Sequence, residues 1–189
     1  MLAILCLSMI SLSGTALGQG RWSVEARGGA AIPAAELGEA ELGTGFGFEG
    51  TVAYRVMPHL SAYGGWGWTR FATDEPFAGA EADVEETGYA FGLRFVHPIG
   101  RTDFSYMLRA GATFNHIEIE DEDGYIVGDS DHGLGWEAGA GLAFSMNERW
   151  TVTPGLRYRM LSRDIGIAGG GISVDLEYLM VDIGVSASF

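Results

Sequence analysis

The sequence contains no lysine, and all eleven of its basic residues are arginine. With 25 acidic residues the formal net charge is -14, so the clustered positive charge that nucleic-acid binding requires is missing. Lysine is also the residue that normally keeps a water-facing β surface soluble and protects strand edges. The sequence therefore excludes nucleic acid as a partner and lacks the usual charged coat of a soluble β protein.

Cysteine is almost absent as well. The only cysteine, Cys6, lies in the apolar first stretch, MLAILCLSMISLSGTALG. This stretch has the length of an export signal and ends in small residues before a cleavage site at Gln19, although its start carries no positive charge. A short membrane anchor is the alternative, but the run is shorter than the roughly 20 residues of a spanning helix. We predict a signal peptide over residues 1–18 and one domain over 19–189, with no disulfide and no cysteine-bound metal.

Helical periodicity is scarce, whereas apolar and small or polar residues alternate in eight separate runs after residue 20. Thirty glycines and an aromatic content of 12% fit an all-β chain. Each run is about 10 to 13 residues long, which suits a tilted strand that crosses a bilayer better than a strand of a soluble sheet. The predicted strands are 21–32, 45–56, 60–71, 87–96, 103–115, 134–144, 150–160 and about 176–189.

The connections between these runs alternate between long and short. Long connections cover 33–44, 72–86, 117–133 and 161–175, and short ones cover 57–59, 97–102 and 145–149. Long outer loops and short periplasmic turns are typical of outer-membrane barrels. The pattern predicts an all-β fold, an eight-stranded antiparallel up-and-down transmembrane β-barrel with four long outer loops and three short periplasmic turns.

A soluble lipocalin-type barrel has the same number of alternating strands, so the character of the two faces must decide. The second face is small and poor in charge, as in Gly45, Gly47, Glu49 and Thr51, which suits a narrow barrel interior and not a solvated surface. Aromatic residues also cluster at both strand ends, as at two membrane interfaces. These residues are Trp22, Tyr54, Phe104, Tyr106, Trp150 and Phe189 at the short-turn end, and Phe46, Trp66, Trp68, Phe114, Trp136 and Tyr158 at the long-loop end. We predict that the apolar face points outward.

Charged residues within the runs share the parity that faces away from lipid. An arginine on the lipid face near the midplane costs about 2 to 4 kcal/mol, so this sorting is favourable. The predicted interior ion network consists of Arg27, Glu49, Arg55, Arg94, Arg109, Glu137, Arg157, Arg159 and Asp182, with Glu25 on the same face. We expect Arg27 near Glu49 and Asp182, and Glu137 near Arg157 or Arg159. The network is either a packed ionic plug, which we prefer, or a polar path for protons or small solutes.

Proline interrupts one predicted strand. Pro154 lies within the seventh run and cannot donate a ladder hydrogen bond. A closed barrel tolerates proline at a bulge or a strand end. We therefore predict a local bulge at this position.

The long loops hold most of the acidic residues, and two runs are densest, TDEPFAGAEADVEE and EIEDEDGYIVGDSD. The segment DEDG suggests a calcium loop, but aligning Gly124 with the glycine of that motif puts Ile119 and Ser130 at the first and last ligand positions. No cofactor and no dedicated metal site is predicted. Weak binding of divalent cations and a solvated, self-repelling surface are the two alternatives.

Outer-membrane enzymes place their catalytic groups at the outer rim of the barrel. His116 and His132 lie there with Asp129, Ser130 and Asp131, yet their spacing matches no nucleophile, base and orienting group. The other two histidines, at 59 and 97, each adjoin a proline and are interpreted as turn residues. The sequence indicates that the protein is not an enzyme.

The chain ends on VDIGVSASF, in which Val181, Ile183, Val185, Ala187 and Phe189 form one apolar face. Together with GLGWEAGAGLAF and WTVTPGLRYRM, this segment resembles the eight-stranded outer-membrane β-barrel family, the group of the outer-membrane protein A transmembrane domain and outer-membrane protein X. The resemblance covers about residues 20–189. It implies a location in the outer membrane and implies that the terminal face, with Phe189 last, is the signal read by the barrel-assembly machinery.

The resemblance leaves the role open, since members serve as structural proteins, adhesins, surface antigens or small channels. We expect a monomeric, non-enzymatic surface barrel that contacts outer-membrane lipids and lipopolysaccharide, with divalent cations or host surface molecules as candidate partners of its acidic loops. A narrow channel is the alternative, and a lipid-modifying enzyme is a third hypothesis.

Overall fold

The computed structural model describes residues 20–35, 42–72, 82–121, 125–167 and 170–189. The predicted signal peptide lies outside these residues. Within them, no helix is long and apolar enough to cross a membrane. The strands are β1 (Trp22–Pro33), β2 (Gly45–Met57), β3 (Leu60–Ala72), β4 (Ala82–Pro98), β5 (Phe104–Asp121), β6 (Ile126–Ser130), β7 (Gly133–Ser145), β8 (Trp150–Ile167) and β9 (Gly170–Ser188).

The strands form a closed antiparallel ring with eight positions, in the order β1, β2, β3, β4, β5, β7, β8, β9. β9 pairs with β1, Ser188 opposite Ser23, and this pairing closes the ring. The short β6 precedes β7 on the same line and pairs with β5 and β8. Closure leaves no open sheet edge, which a barrel in lipid requires. The predicted eight-stranded up-and-down barrel is confirmed.

Three tight turns join strands at the periplasmic end. In the turn between β7 and β8, the Asn147 Oδ1 accepts hydrogen bonds from the backbone N–H groups of Arg149 and Trp150, both at 2.9 Å. The turn between β4 and β5 contains Gly100 with a φ of 62°, a left-handed conformation that glycine adopts without strain. These short turns agree with the sequence prediction.

The apolar face points outward. Phe48, Leu93 and Ile183 expose 50%, 50% and 57% of their surface, respectively, and an apolar band of this extent needs lipid around it. Aromatic pairs flank the band at both ends. Ring centroids are 4.9 Å apart for Trp22 and Tyr54 at the periplasmic end. At the outer end the distances are 5.3 Å for Phe46 and Trp68 and 5.3 Å for Trp136 and Tyr158.

Beyond the outer aromatic girdle the strands continue through much of the predicted loops, which corrects the boundaries 72–86, 117–133 and 161–175. β4 begins at Ala82, β5 reaches Asp121, β8 reaches Ile167 and β9 begins at Gly170. The reason is that the same alternate positions of each strand keep facing inward, but beyond the girdle the inward residues are apolar and the outward ones are polar. Along β5, Ile117 and Ile119 are buried inside the barrel, so Glu118 between them faces outward. In the described part of the chain, Asp83, Glu85, Glu118 and Glu120, which suggested solvated loops, lie on the outward face of strands, whereas the DEDG segment lies largely outside the described residues.

We call this part of the barrel, beyond the outer girdle, the outer extension. Its interior is a compact apolar cluster, in which the rings of Phe71 and Tyr178 meet edge to face with centroids 5.2 Å apart. The cluster consists of Ala31, Phe71, Val84, Ile117, Ile119, Leu161, Ile165, Val174, Leu176, Tyr178 and Met180. The outer extension therefore has the polarity of a water-soluble barrel, whereas the membrane band has the opposite polarity.

The predicted bulge at Pro154 is wrong. The register that pairs Gly141 with Gly155 also pairs Phe144 with Val152, so no residue is inserted on either strand. Pro154 also keeps its place opposite Ile183 of β9. Its side chain points toward lipid, and the ladder on either side holds the register.

Candidate functional site in the lumen and on the outer rim

A continuous network of charged side chains fills the lumen at the level of the membrane. Its five arginines and five carboxylates balance in charge, so the network is neutral overall. Its members are Arg27, Arg94, Arg109, Arg157 and Arg159 with Glu25, Glu49, Glu86, Glu137 and Asp182. Buried charges are stable only when paired and hydrogen-bonded, and each carboxylate here meets at least one guanidinium.

The centre of the network consists of two carboxylates shared among three arginines. Glu49 lies 2.9 Å from Arg109 and 2.8 Å from Arg159, and it also pairs with Arg157. Glu137 lies 2.6 Å from Arg159 and pairs with Arg109 as well. Because these residues come from β2, β5, β7 and β8, the cluster crosses the full width of the lumen.

On the periplasmic side, Arg27 pairs with Asp182 on the neighbouring strand and lies 3.2 Å from Glu25. Glu25 is also 3.1 Å from Arg94, whose other terminal nitrogen donates a hydrogen bond of 2.9 Å to Ser23. On the outer side, Glu86 ends the network.

Glu86 lies 3.1 Å from Arg159 and accepts hydrogen bonds from Asn115 and the Tyr178 hydroxyl. Tyr178 also belongs to the apolar cluster of the outer extension. The ionic layer and the apolar layer are thus in direct contact.

The structure places eight of the nine predicted interior residues in this network, all except Arg55. Arg27 and Glu49 are register neighbours, but Arg27 pairs with Glu25 and Asp182 while Glu49 pairs with arginines of β5 and β8. Glu137 meets Arg157 and Arg159, as the parity suggests. Arg55 is half-buried and lines the periplasmic mouth of the lumen.

Sequence reasoning missed one member of the network, Glu86, and one residue in contact with the network, Tyr63. Glu86 was placed in a loop, and the signal that could have found it is its parity with Gly88, Ala90 and Arg94 along β4. Tyr63 was also missed. Its hydroxyl donates a hydrogen bond of 2.6 Å to Glu137, and the Arg109 guanidinium lies 4.4 Å from its ring centroid.

Glycines on the interior face make room for these long side chains. A Cβ at Gly111 would lie 2.5 Å from the Tyr63 hydroxyl, and one at Gly184 would lie 2.7 Å from an Arg27 nitrogen. A side chain at either position would therefore displace Tyr63 or Arg27 from its place in the lumen. The glycine-rich face is therefore a steric requirement of the network in a barrel this narrow.

A polar pocket of about 390 Å³ opens at the periplasmic end. Arg55, Arg94 and Glu25 line it together with Ser61, and Met107 lines its inner part. The pocket ends against the ion network, because Glu25 and Arg94 belong to both.

Charged and imidazole side chains cover the outward face of the outer extension. Arg70 lies 3.0 Å from Glu85 and also pairs with Asp83, and the hydrogen bond to Asp83 raises the pKa of its guanidinium. A second group lies on β5 and β6. There His116 Nε2 is 3.0 Å from Glu118 Oε1, and Asp129 stands opposite Glu118 in the register.

Ser130, which lies close to the outer histidines in the sequence, does not face them. His116 Nδ1 lies 3.0 Å from His132 Nε2 on the outward face. Ser130 points into the barrel, where its hydroxyl oxygen accepts a hydrogen bond of 2.8 Å from the Ile117 N–H. The serine and the two imidazoles are thus on opposite sides of the sheet.

A family model described as the outer membrane protein beta-barrel domain matches residues 2–189. The chain belongs to this family. Its location in the outer membrane, implied by the sequence resemblance, is confirmed. No curated protein sequence matches the chain.

Solved structures of outer-membrane barrels share the fold. Neisserial surface protein A is 15% identical with a TM-score of 0.65, over 92% of this chain and all of that one. OprG from Pseudomonas aeruginosa is 14% identical with a TM-score of 0.56, over 90% of this chain and 95% of that one. Ail, the attachment invasion locus protein of Yersinia pestis, solved with the heparin analogue sucrose octasulfate, is 15% identical with a TM-score of 0.50, over 91% of this chain and all of that one.

Proposed function

We propose that the protein is a non-enzymatic outer-membrane barrel with a closed lumen, whose outer extension presents an acidic surface to the cell exterior. The observation that carries this proposal is the stacking of two layers in the lumen. The neutral ion network crosses the membrane band, and the apolar cluster fills the outer extension directly above it. Ions would have to pass both layers, and the apolar side chains of the second layer would not solvate them.

Planar bilayer recordings test this proposal against the narrow-channel alternative. The protein, refolded and inserted, is expected to give no stepwise conductance under an applied voltage, because in this proposal the two layers interrupt the water path through the lumen. A vesicle assay with a trapped pH dye is expected to show no proton leak above that of protein-free vesicles. Conductance steps or a proton leak that vanish when the protein is heat-unfolded before insertion would establish the channel and refute the closed lumen.

The surface role is supported by the charge of the outer extension. Its outward carboxylates outnumber its cations in the described part of the chain, where Arg70 pairs with Asp83 and Glu85. The Yersinia protein was solved with a heparin analogue, which is a polyanion. We propose that this chain takes partners of the opposite kind, cationic or bridged by cations, because like charges at an interface repel.

The terminal strand supports a proposal about assembly. Val181, Ile183, Val185 and Phe189 are exposed on the outward face of β9, with half-buried Ala187 on the same parity. The backbone of Phe189 pairs with Trp22 through hydrogen bonds of 2.9 and 3.2 Å. The main chain of Phe189 thus takes part in closing the barrel, and we propose that its side chain is recognised by the assembly machinery.

Phe189→Ala is therefore expected to lower the amount of folded barrel in the outer membrane several-fold while leaving refolding in detergent unchanged, because the backbone hydrogen bonds remain. Heat-modifiable gel migration of membrane fractions and of refolded protein measures both quantities. Phe104→Ala is the control, since Phe104 is another exposed aromatic residue at the periplasmic interface. Equal loss in both variants, or unchanged assembly of Phe189→Ala, would contradict a recognition role.

A further inference from the structure

A mixed cluster of two imidazoles and two carboxylates lies on the outward face of the outer extension and consists of His116, His132, Glu118 and Asp129. His116 and Glu118 are two residues apart on β5, so they share a face. Asp129 on β6 stands directly opposite Glu118. The ligand atoms of His116, Glu118 and Asp129 all lie within 4.8 Å of one another.

We propose that His116, Glu118 and Asp129 bind a divalent transition-metal ion, with Zn²⁺ as the best match to the donor set. Donor atoms around a tetrahedral zinc ion are about 3.4 Å apart, as follows from bond lengths near 2.1 Å. His116 Nε2 and Glu118 Oε1 are already 3.0 Å apart. Small side-chain movements therefore suffice to enclose an ion, and the fourth position faces solvent.

His132 positions the first ligand. It lies in the break between β6 and β7, where residues 131 and 132 leave the strand, and its ring packs on His116 with centroids 4.3 Å apart. His116 Nδ1 is 3.0 Å from His132 Nε2. With a proton on Nδ1 donated to His132, Nε2 of His116 keeps its lone pair for the metal. Metal-bound histidines generally use the second ring nitrogen in this way.

The charge around the cluster favours a cation there. Arg70 lies within ion-pair distance of Asp83, Glu85 and Glu120 on the adjoining surface. Among the residues that the structure describes, no arginine pairs with Glu118 or Asp129. A neighbouring group of carboxylates consists of Glu85, Glu118 and Glu120, and Arg70 neutralises part of its charge through ion pairs with Glu85 and Glu120. The histidine-containing group has no such arginine and is therefore the better candidate for a metal site.

Calorimetry on the refolded, untagged protein in detergent micelles tests the proposal, with ZnCl₂, CaCl₂ and MgCl₂ as probes. We expect one Zn²⁺ per chain, bound at least tenfold more tightly than Ca²⁺ or Mg²⁺, because imidazole selects borderline-soft metals. His116→Ala, Glu118→Gln and Asp129→Asn should each weaken Zn²⁺ binding at least tenfold. Heat-modifiable migration establishes that each variant is folded, and three independent variants keep the test valid if one is not.

Two control variants separate this site from unspecific binding. His59→Ala with His97→Ala removes the other close histidine pair, whose ring centroids are 4.7 Å apart in the periplasmic turns. Asp175→Asn removes an exposed carboxylate of the outer extension, which accepts a hydrogen bond of 2.5 Å from the Ser162 hydroxyl. Both should leave Zn²⁺ binding unchanged. Unchanged binding in His116→Ala, equal loss in the controls, or Ca²⁺ affinity equal to that of Zn²⁺ would overturn the proposal.

The role of His132 has its own readout. In the Cu²⁺-loaded protein, electron paramagnetic resonance should show coupling to one directly bound imidazole nitrogen, and His132→Ala should keep that signal while weakening affinity about tenfold or more. Coupling to two nitrogens that drops to one in His132→Ala would make His132 a ligand and overturn its positioning role. These measurements do not depend on the lumen, so they stand whether or not the barrel conducts.

Discussion

Glu137→Gln is expected to destabilise the barrel by about 3 to 5 kcal/mol, the cost of removing one partner from a buried ion pair. Glu137 is 1% exposed and pairs with Arg109, Arg157 and Arg159. Without its charge, the five arginines of the network face four carboxylates. Urea titration of the refolded protein, followed by tryptophan fluorescence, measures the free energy of unfolding.

The matched control is Asp175→Asn, the same change of charge on the exposed face of the outer extension, which should alter stability by no more than about 0.5 kcal/mol. A double variant with Arg109→Gln restores the charge balance and should lose at least about 1 kcal/mol less than the sum of the two single variants. Strict additivity, or a single-variant loss as small as that of the control, would mean that the network does not act as a unit.

Leu93→Arg is expected to cost about 2 to 4 kcal/mol in lipid vesicles, the value for an arginine on the lipid face near the midplane. Leu93 is half exposed and lies midway between Tyr89 and His97 along β4. Its neighbours across the sheet are Ala62 and Ala110, which offer the guanidinium no partner. Unfolding in vesicles of defined lipid gives the free energy.

Ser162→Arg places the same side chain on the outward face of the outer extension, next to Asp175, and should cost less than about 1 kcal/mol. The contrast between the two variants measures where lipid ends and water begins. Equal costs would show that the outer girdle is not a membrane boundary. A wild-type chain that stayed folded and monomeric in plain buffer would refute the outward placement of the apolar face altogether.

Strand number, chain direction and the lipid-facing parity could be predicted from the sequence because period-two alternation is a strong signal in the membrane band. The outer parts of β4, β5, β8 and β9 could not. There alternate residues still face inward and outward, but the apolar residues occupy the inward positions and not the outward ones. Along β9 the change occurs between Val181, which is exposed to lipid, and Met180, which is buried in the barrel. In the sequence, a strand whose apolar face switches from outward to inward resembles a shorter strand followed by a polar loop.

The interior charges could be assigned to the lumen, and the pairs of Arg27 with Asp182 and of Glu137 with Arg157 and Arg159 could be predicted, but the other pairs could not. Register relates adjacent strands, so Arg27 was expected near Glu49, its cross-strand neighbour. In a narrow lumen, long side chains reach across the barrel instead, and Glu49 meets Arg109 of a strand that is not adjacent to β2. The His116, Glu118 and Asp129 cluster was missed for a related reason, since β6 was not foreseen and the connection was treated as a loop.

The separately cored outer extension makes the protein a scaffold for peptide display. β5 continues seven residues past Phe114 to Asp121, which at about 3.4 Å per residue and a tilt near 40° raises the end of the strand roughly 18 Å above the girdle. An epitope grafted after Asp121 would start from the end of the outer extension, above the lipid headgroups. Because the outer extension has its own apolar interior, such insertions should leave the transmembrane band intact.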